Sequence, residues 1–123
     1  ILGAVFCGVE ERIRCTALVV GGGHLRFALK EADAAVVAEN EAIVEPCNFV
    51  GLISPRPLLM INGKRDALIP TEAAQALYDA AGEPKRIVWY EAGHYDLPVA
   101  EVLEELVGFF GSNLGCEDAP PAT

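Results

Sequence analysis

Two short apolar runs constrain this chain more than any other feature, because each is closed by a glycine and followed by a side chain able to hold a proton. The first is Arg56-Pro-Leu-Leu-Met-Ile-Asn-Gly-Lys-Arg-Asp66; the second is Arg86-Ile-Val-Trp-Tyr-Glu91, which leads to Gly93-His94. Runs of this length, preceded by proline and closed by glycine, have the pattern of strands buried on both faces of a parallel sheet. Residues just past the carboxyl ends of such strands lie where open α/β sheets carry their chemistry. Asp66 and His94 are 28 residues apart, one helix plus one strand, which returns a parallel neighbour to the same edge. Taken singly, Asp66 also suits a turn and His94 an ordinary surface position. As a pair they suit acid–base work: the carboxylate holds one imidazole nitrogen, fixes the tautomer and stabilises the imidazolium.

Around these runs the chain alternates. Ile1, Leu2, Val5, Phe6 and Val9 recur at helical spacing, so the chain is expected to open inside a helix, with no N-cap ahead of it. Ile13–Val20 is the first predicted strand, with Cys15, Ala17 and Val19 on one face and Thr16, Leu18 and Val20 on the other. It ends in Gly21-Gly22-Gly23-His24, which permits close approach to a ligand but lacks the G-x-G-x-x-G spacing of a phosphate site. Leu25, Ala28, Leu29, Ala32, Ala35 and Val36 trace a helical face. From Glu39 to Pro55 the periodicity fails, and Pro46, Gly51 and Pro55 predict a loop or short helical turns, packed because Phe49, Val50 and Leu52 need burial. Thr71 is the expected N-cap of a helix whose inward face is Ala73, Ala74, Leu77, Ala80 and Ala81, with Gly82 as its stop. Pro98 opens a last helix with Val99, Val102, Leu103, Leu106, Val107 and Phe110 inward, ended by Gly111. The expected fold class is α/β: a three-layer, mainly parallel sheet of about three strands with helices on both faces. Residues 1–114 form this portion, and residues 115–123 are expected to be a flexible tail.

Composition narrows the function classes. Hydrophobic residues make up 52% of the chain, which excludes overall disorder. Nine basic residues against eighteen acidic ones give a net charge of −9, which disfavours nucleic acid or an anionic membrane as partner. No apolar run approaches the roughly 20 residues of a membrane span, and no basic segment precedes a signal-type core. A soluble protein with a small, weakly polar ligand fits, and a cytoplasmic location is favoured although no signal fixes the compartment. Cys7, Cys15, Cys47 and Cys116 form no C-x-x-C pair and share no metal-ligand spacing with His24 and His94. They are expected to be reduced core thiols, with no metal and no cofactor.

The ordered set Ile53-Ser-Pro-Arg-Pro-Leu-Leu-Met-Ile-Asn-Gly-Lys-Arg-Asp66, Leu68-Ile69-Pro70, Lys85-Arg-Ile-Val-Trp-Tyr and Gly93-His94-Tyr95 resembles the C-terminal half of an α/β-hydrolase, nearest to dienelactone-hydrolase-like and acetyl-esterase-like members. The resemblance runs from Ile1 to about Leu114 and implies a partial α/β-hydrolase fold. In that family the triad follows the order nucleophile, acid, histidine. The resemblance therefore implies Asp66 as orienting acid, His94 as general base, and a small-molecule carboxylic ester or thioester as substrate.

One member of the triad departs from the pattern. The family's serine sits in a G-x-S-x-G elbow, whereas the only serines here are Ser54, ahead of a strand, and Ser112, after the last helix. Cys7 would need glycines where Val5 and Val9 stand. Ile1-Leu-Gly-Ala resembles the helix that follows the elbow, so the nucleophile is expected just before residue 1 and the isolated chain is expected to show negligible triad-type turnover. His24 has no role in the resemblance and suits a pocket wall or a structural position, and Asp96 suits a loop or the start of a helix. The alternative is a non-catalytic α/β module or truncated gene product. In either case an unpaired Ile13–Val20 edge and an exposed apolar face on the first helix invite a homo-oligomer or a partner chain.

Overall fold

The computed structural model describes residues 2–24, 38, 40 and 42–115. The expected helix from Leu25 to Val36 and the tail beyond Gly115 lie outside the described residues. At the centre is β2 (Leu58–Gly63), six consecutive buried residues. Its apolar run supplies side chains to two faces at once because successive residues point to opposite sides. It pairs in parallel with β1 (Thr16–Val19) through Thr16↔Leu58 to Val19↔Ile61. On its other side it pairs in parallel with β3 (Lys85–Tyr90) through Leu58↔Lys85 to Gly63↔Tyr90. The sheet order is β1-β2-β3. Among the described residues, β1 is thus an edge strand, as expected.

β1 is shorter than the predicted Ile13–Val20. Its ladder starts where Thr16 donates to the Pro57 carbonyl (2.9 Å). Toward the amino end the opposing segment is Pro55-Arg56-Pro57, and prolines have no N–H to continue the pairing. At the other end Val20 takes φ 50 and His24 φ 54, left-handed values uncommon for non-glycine residues and, for a β-branched one, a source of strain.

Helix α1 (Leu2–Val9) turns small residues inward: Ala4 and Gly8 are buried, while Leu2, Phe6 and Val9 are 82%, 58% and 57% exposed. A Cβ on Gly8 would lie 2.4 Å from the Phe49 carbonyl oxygen, so glycine permits the helix to lie on the following connection. Within the connection expected from Glu39 to Pro55, residues 40 and 42–44 are α-helical, and only the part from Pro46 onward is made of short turns, the 3-10 turns Pro46–Asn48 and Val50–Ile53. Val50 and Ile53 are buried, but Leu52 is exposed. The guanidinium of Arg56 then closes the corner. Its Nη1 donates to the carbonyls of Glu10 (2.9 Å) and Ile13 (3.0 Å), and its Nη2 to those of Cys7 (2.9 Å), Gly8 (3.4 Å) and Leu52 (3.0 Å). These include carbonyls at the carboxyl end of α1 that the helix itself cannot satisfy.

Helix α2 (Thr71–Ala80) crosses from β2 to β3 with Ala73, Ala74 and Leu77 buried. Pro70 occupies the cap position and no side chain caps the helix, so Thr71 is its first residue rather than its N-cap. Gly82 is needed for space and not for a left-handed stop: a Cβ there would lie 2.6 Å from that of Ser54. Ala4, Val50, Ile53, Leu58, Met60, Leu77 and Ala81 form one buried cluster, which sets α1 and α2 on the Leu58/Met60 face of the sheet.

Helix α3 (Val99–Leu114) covers the opposite face, where Glu105 pairs with Arg86 (2.7 Å). It runs past Gly111 to a left-handed cap at Gly115 (φ 70). The expected inward face divides. Val102, Leu106 and Phe110 are half-buried, whereas Val99, Leu103 and Val107 are 70%, 54% and 71% exposed. The apolar stripe is wider than the sheet surface it meets. Among the described residues, no helix is long and apolar enough to cross a membrane.

Candidate active site

The ladder between β2 and β3 continues past the strands into their loops. Lys64 N–H donates to the Tyr90 carbonyl (2.9 Å) and Arg65 N–H to that of Ala92 (3.0 Å). Gly63 makes the approach possible, because a Cβ there would lie 2.3 Å from the Ala92 oxygen. Locked together in this way, the two loops set their next side chains face to face: His94 Nδ1 lies 2.8 Å from Asp66 Oδ2.

Asp66 is held on every side. Its Oδ1 accepts from the amides of Leu68 and Ile69, both at 2.8 Å, so the turn that leads into α2 is built around the carboxylate. Its side chain has no exposed surface, while that of His94 is 22% exposed. Burial pushes the Asp66 carboxyl up, but the Ile69 amide, the His94 ring and the Leu68 amide together outweigh it and hold the group below the ordinary carboxylate range. An ionised Asp66 is an acceptor only. Nδ1 of a neutral His94 therefore carries the proton, and Nε2 keeps a lone pair. Such an imidazole can take a proton from a donor at Nε2 while the buried carboxylate stabilises the resulting cation.

Nearby groups shape the loop. Asp96 Oδ1 accepts from Gly93 N–H (2.5 Å), which makes Asp96 a loop residue. Tyr95 is 89% exposed and meets the His94 ring edge-on at 4.8 Å. Lys64 pairs with Glu91 (2.5 Å), and Arg65 donates to the Glu91 carbonyl. A groove of about 610 Å³ bordered by Lys64, Thr71, Gln75, Asp79 and Trp89 lies on the α2 flank and includes neither Asp66 nor His94.

The other hydroxyls and thiols singled out in the sequence lie elsewhere. Ser54 donates to the Glu83 carbonyl (2.6 Å), just before β3 and so at the opposite end of the sheet. The Cys7 carbonyl accepts from Arg56, again at the amino end of β2. Ser112 stands in the last turn of α3, some thirteen residues along from Val99, or roughly 20 Å of helix. Cys7, Cys15 and Cys47 are free thiols; Cys116 lies outside the described residues. His24 is drawn to Glu45 and Cys47, with their nitrogen, oxygen and sulfur ligand atoms all within 4.8 Å of one another. The linear spacing of these three matches no motif, so the sequence carried no signal of their convergence.

No protein-family model matches the sequence. Over 48 residues it is 42% identical to the uncharacterized protein YfhR of Escherichia coli K12, a match that covers 39% of this chain and 17% of that protein. The alpha/beta hydrolase GrgF from Penicillium sp. sh18 superposes with a TM-score of 0.73 at 16% identity, over 93% of this chain and 60% of GrgF. The chain has a partial α/β-hydrolase fold. An acetyl xylan esterase from Paenibacillus sp. R4 superposes with a TM-score of 0.69 at 19% identity, over 91% of this chain and 42% of the esterase. The chain thus spans roughly half the length of the solved α/β-hydrolases it matches, and less than a fifth of the curated relative.

Proposed function

We propose that this chain supplies the acid and the base of a serine hydrolase acting on carboxylic esters or thioesters, with the serine contributed from outside these residues. One observation carries the proposal: a fully buried carboxylate, fixed by two amides, bonds one nitrogen of a partly exposed imidazole at 2.8 Å. In this proposal His94 Nε2 takes the serine proton as the hydroxyl attacks the ester carbonyl and returns it to the leaving alkoxide or thiolate. Asp66 holds the ring in the required tautomer and offsets its charge. The shared fold with the acetyl xylan esterase supports a short acyl ester as the substrate class.

The test has two arms. The purified 123-residue chain is expected not to turn over p-nitrophenyl acetate with saturable kinetics; saturable hydrolysis abolished by His94→Ala would refute the external serine. The gene product that carries this chain within any longer reading frame is expected to be labelled at a serine by a fluorophosphonate, and His94→Ala is expected to suppress that labelling by orders of magnitude, as loss of a general base should. Undiminished labelling in the variant removes His94 from the mechanism.

A second proposal, a non-catalytic module that associates with another copy or another chain, is favoured by the pairing of β1 on one side alone among the described residues and by the exposed Leu2 and Phe6 of α1.

A further inference from the structure

Beyond the carboxyl end of β1, the chain gathers three side chains of different donor chemistry. Glu45 is buried, and its Oε1 accepts from the backbone N–H groups of His24 (2.8 Å) and Cys47 (3.1 Å). It ties the glycine loop to the first 3-10 turn. Gly23 lies directly beneath the cluster. A Cβ there would stand 2.2 Å from Cys47 Sγ and 3.2 Å from Glu45 Oε1, so only glycine leaves room for the sulfur. His24 is held at φ 54, a conformation that persists where surrounding contacts over-determine it. Its imidazole, the Glu45 carboxylate and the Cys47 sulfur then lie within 4.8 Å of one another, half-buried, buried and half-buried.

We propose that His24, Glu45 and Cys47 bind a single divalent cation of borderline softness, of the zinc type. Imidazole nitrogen, carboxylate oxygen and thiolate sulfur are the ligand types that such an ion accepts together. Bonds of about 2.0–2.3 Å to zinc set neighbouring ligand atoms roughly 3.3–3.8 Å apart in a tetrahedron. Side-chain rotations that close the present spread by about an ångström complete the geometry, and the fourth position falls to water.

The obvious rival is a cysteine nucleophile activated by His24. Burial first, and then the hydrogen bond and charge of Glu45, push the Cys47 thiol up to about 11. Such a thiol is protonated at neutral pH and a poor nucleophile. A cation reverses this: the S–H bond breaks, the sulfur–metal bond forms, and the proton leaves to solvent. Affinity should therefore rise with pH, because the thiol gives up its proton on binding.

The metal-free full chain is titrated with Co²⁺ and then with Zn²⁺. One equivalent of cobalt should produce thiolate-to-cobalt charge-transfer absorption, bleached by zinc. Cys47→Ser should remove the band, and His24→Gln, with an unchanged circular dichroism spectrum, should weaken zinc binding by about tenfold or more. Absence of the band, its persistence in Cys47→Ser, equal affinity in His24→Gln, or affinity independent of pH between roughly pH 6 and 8 would each overturn the assignment. Should Cys47→Ser fail to fold, the His24→Gln affinity and the pH slope decide.

Discussion

Replacing Asp66 by asparagine isolates what one buried charge does for this fold. The carboxylate accepts three hydrogen bonds at 2.8 Å, from Leu68, Ile69 and His94, with none of its side chain exposed. The amide oxygen of asparagine keeps the two backbone donors, but as neutral bonds of about half the strength. The amide nitrogen then points a donor at the Nδ1–H of His94, so one polar contact is lost outright. With bonds to charged groups contributing about 1.5–3 kcal/mol each, the substitution should cost about 2–4 kcal/mol, a large fraction of the roughly 5–15 kcal/mol by which small domains are stable. The sign of the pH dependence follows. Asp66 titrates lower in the folded chain than its ordinary value, so its contribution is complete above about pH 4 and is lost as pH falls through the folded-state value. Urea unfolding of wild type and Asp66→Asn, followed by circular dichroism at pH 7 and at steps below pH 4, measures the gap between them. It should be widest at neutral pH and narrow steadily in acid. A constant gap, or an Asp66→Asn protein as stable as wild type at pH 7, would refute the account of the buried carboxylate.

Arg56→Met should cost about 3 kcal/mol in urea unfolding, because it withdraws a charged donor from five carbonyls and leaves the end of α1 uncapped; a change below about 0.5 kcal/mol would show that water replaces the guanidinium. Gly63→Ala should cost about 1–3 kcal/mol by overpacking against the Ala92 carbonyl and should broaden or shift the His94 ring resonances in NMR spectra as the second loop is pushed from Asp66. Phe6→Glu should leave the unfolding midpoint of the monomer within about 0.5 kcal/mol, since Phe6 is 58% exposed, while light scattering should register less self-association than in wild type. A wild-type chain that is strictly monomeric and melts cooperatively would argue against association through α1 and the β1 edge.

Much of the architecture was legible in the linear pattern because its causes are local. The run Leu58–Ile61 is apolar throughout, which suits only a strand covered on both faces, and all of β2 is buried. The 28 residues from Asp66 to His94 span one crossover, and a parallel crossover returns to the same end of the sheet; the two side chains meet at 2.8 Å. The broken periodicity foretold the turns at Pro46–Asn48 and Val50–Ile53, although residues 40 and 42–44 of the same expected connection are helical. Element ends fared worse. Thr71 is inside α2 rather than at its cap, and α3 passes Gly111 to stop at Gly115, because a helix continues through a glycine whose surroundings offer no reason to stop.

Short-range chemistry, then, was enough to specify three parallel strands and an acid beside a histidine. Other contacts between residues 20 to 50 positions apart were settled only by the tertiary structure. The Val99, Leu103 and Val107 stripe has the same periodicity as Val102, Leu106 and Phe110, yet it faces outward; how much of a stripe is buried depends on the width of the surface it meets. Arg56 reads as an ordinary charge until five carbonyls from α1 and its neighbours converge on it. His24, Glu45 and Cys47 share no motif and are brought together by a glycine loop and a 3-10 turn. Hydrophobic periodicity records which residues prefer to leave water, but it holds no record of which distant groups they will meet when they do.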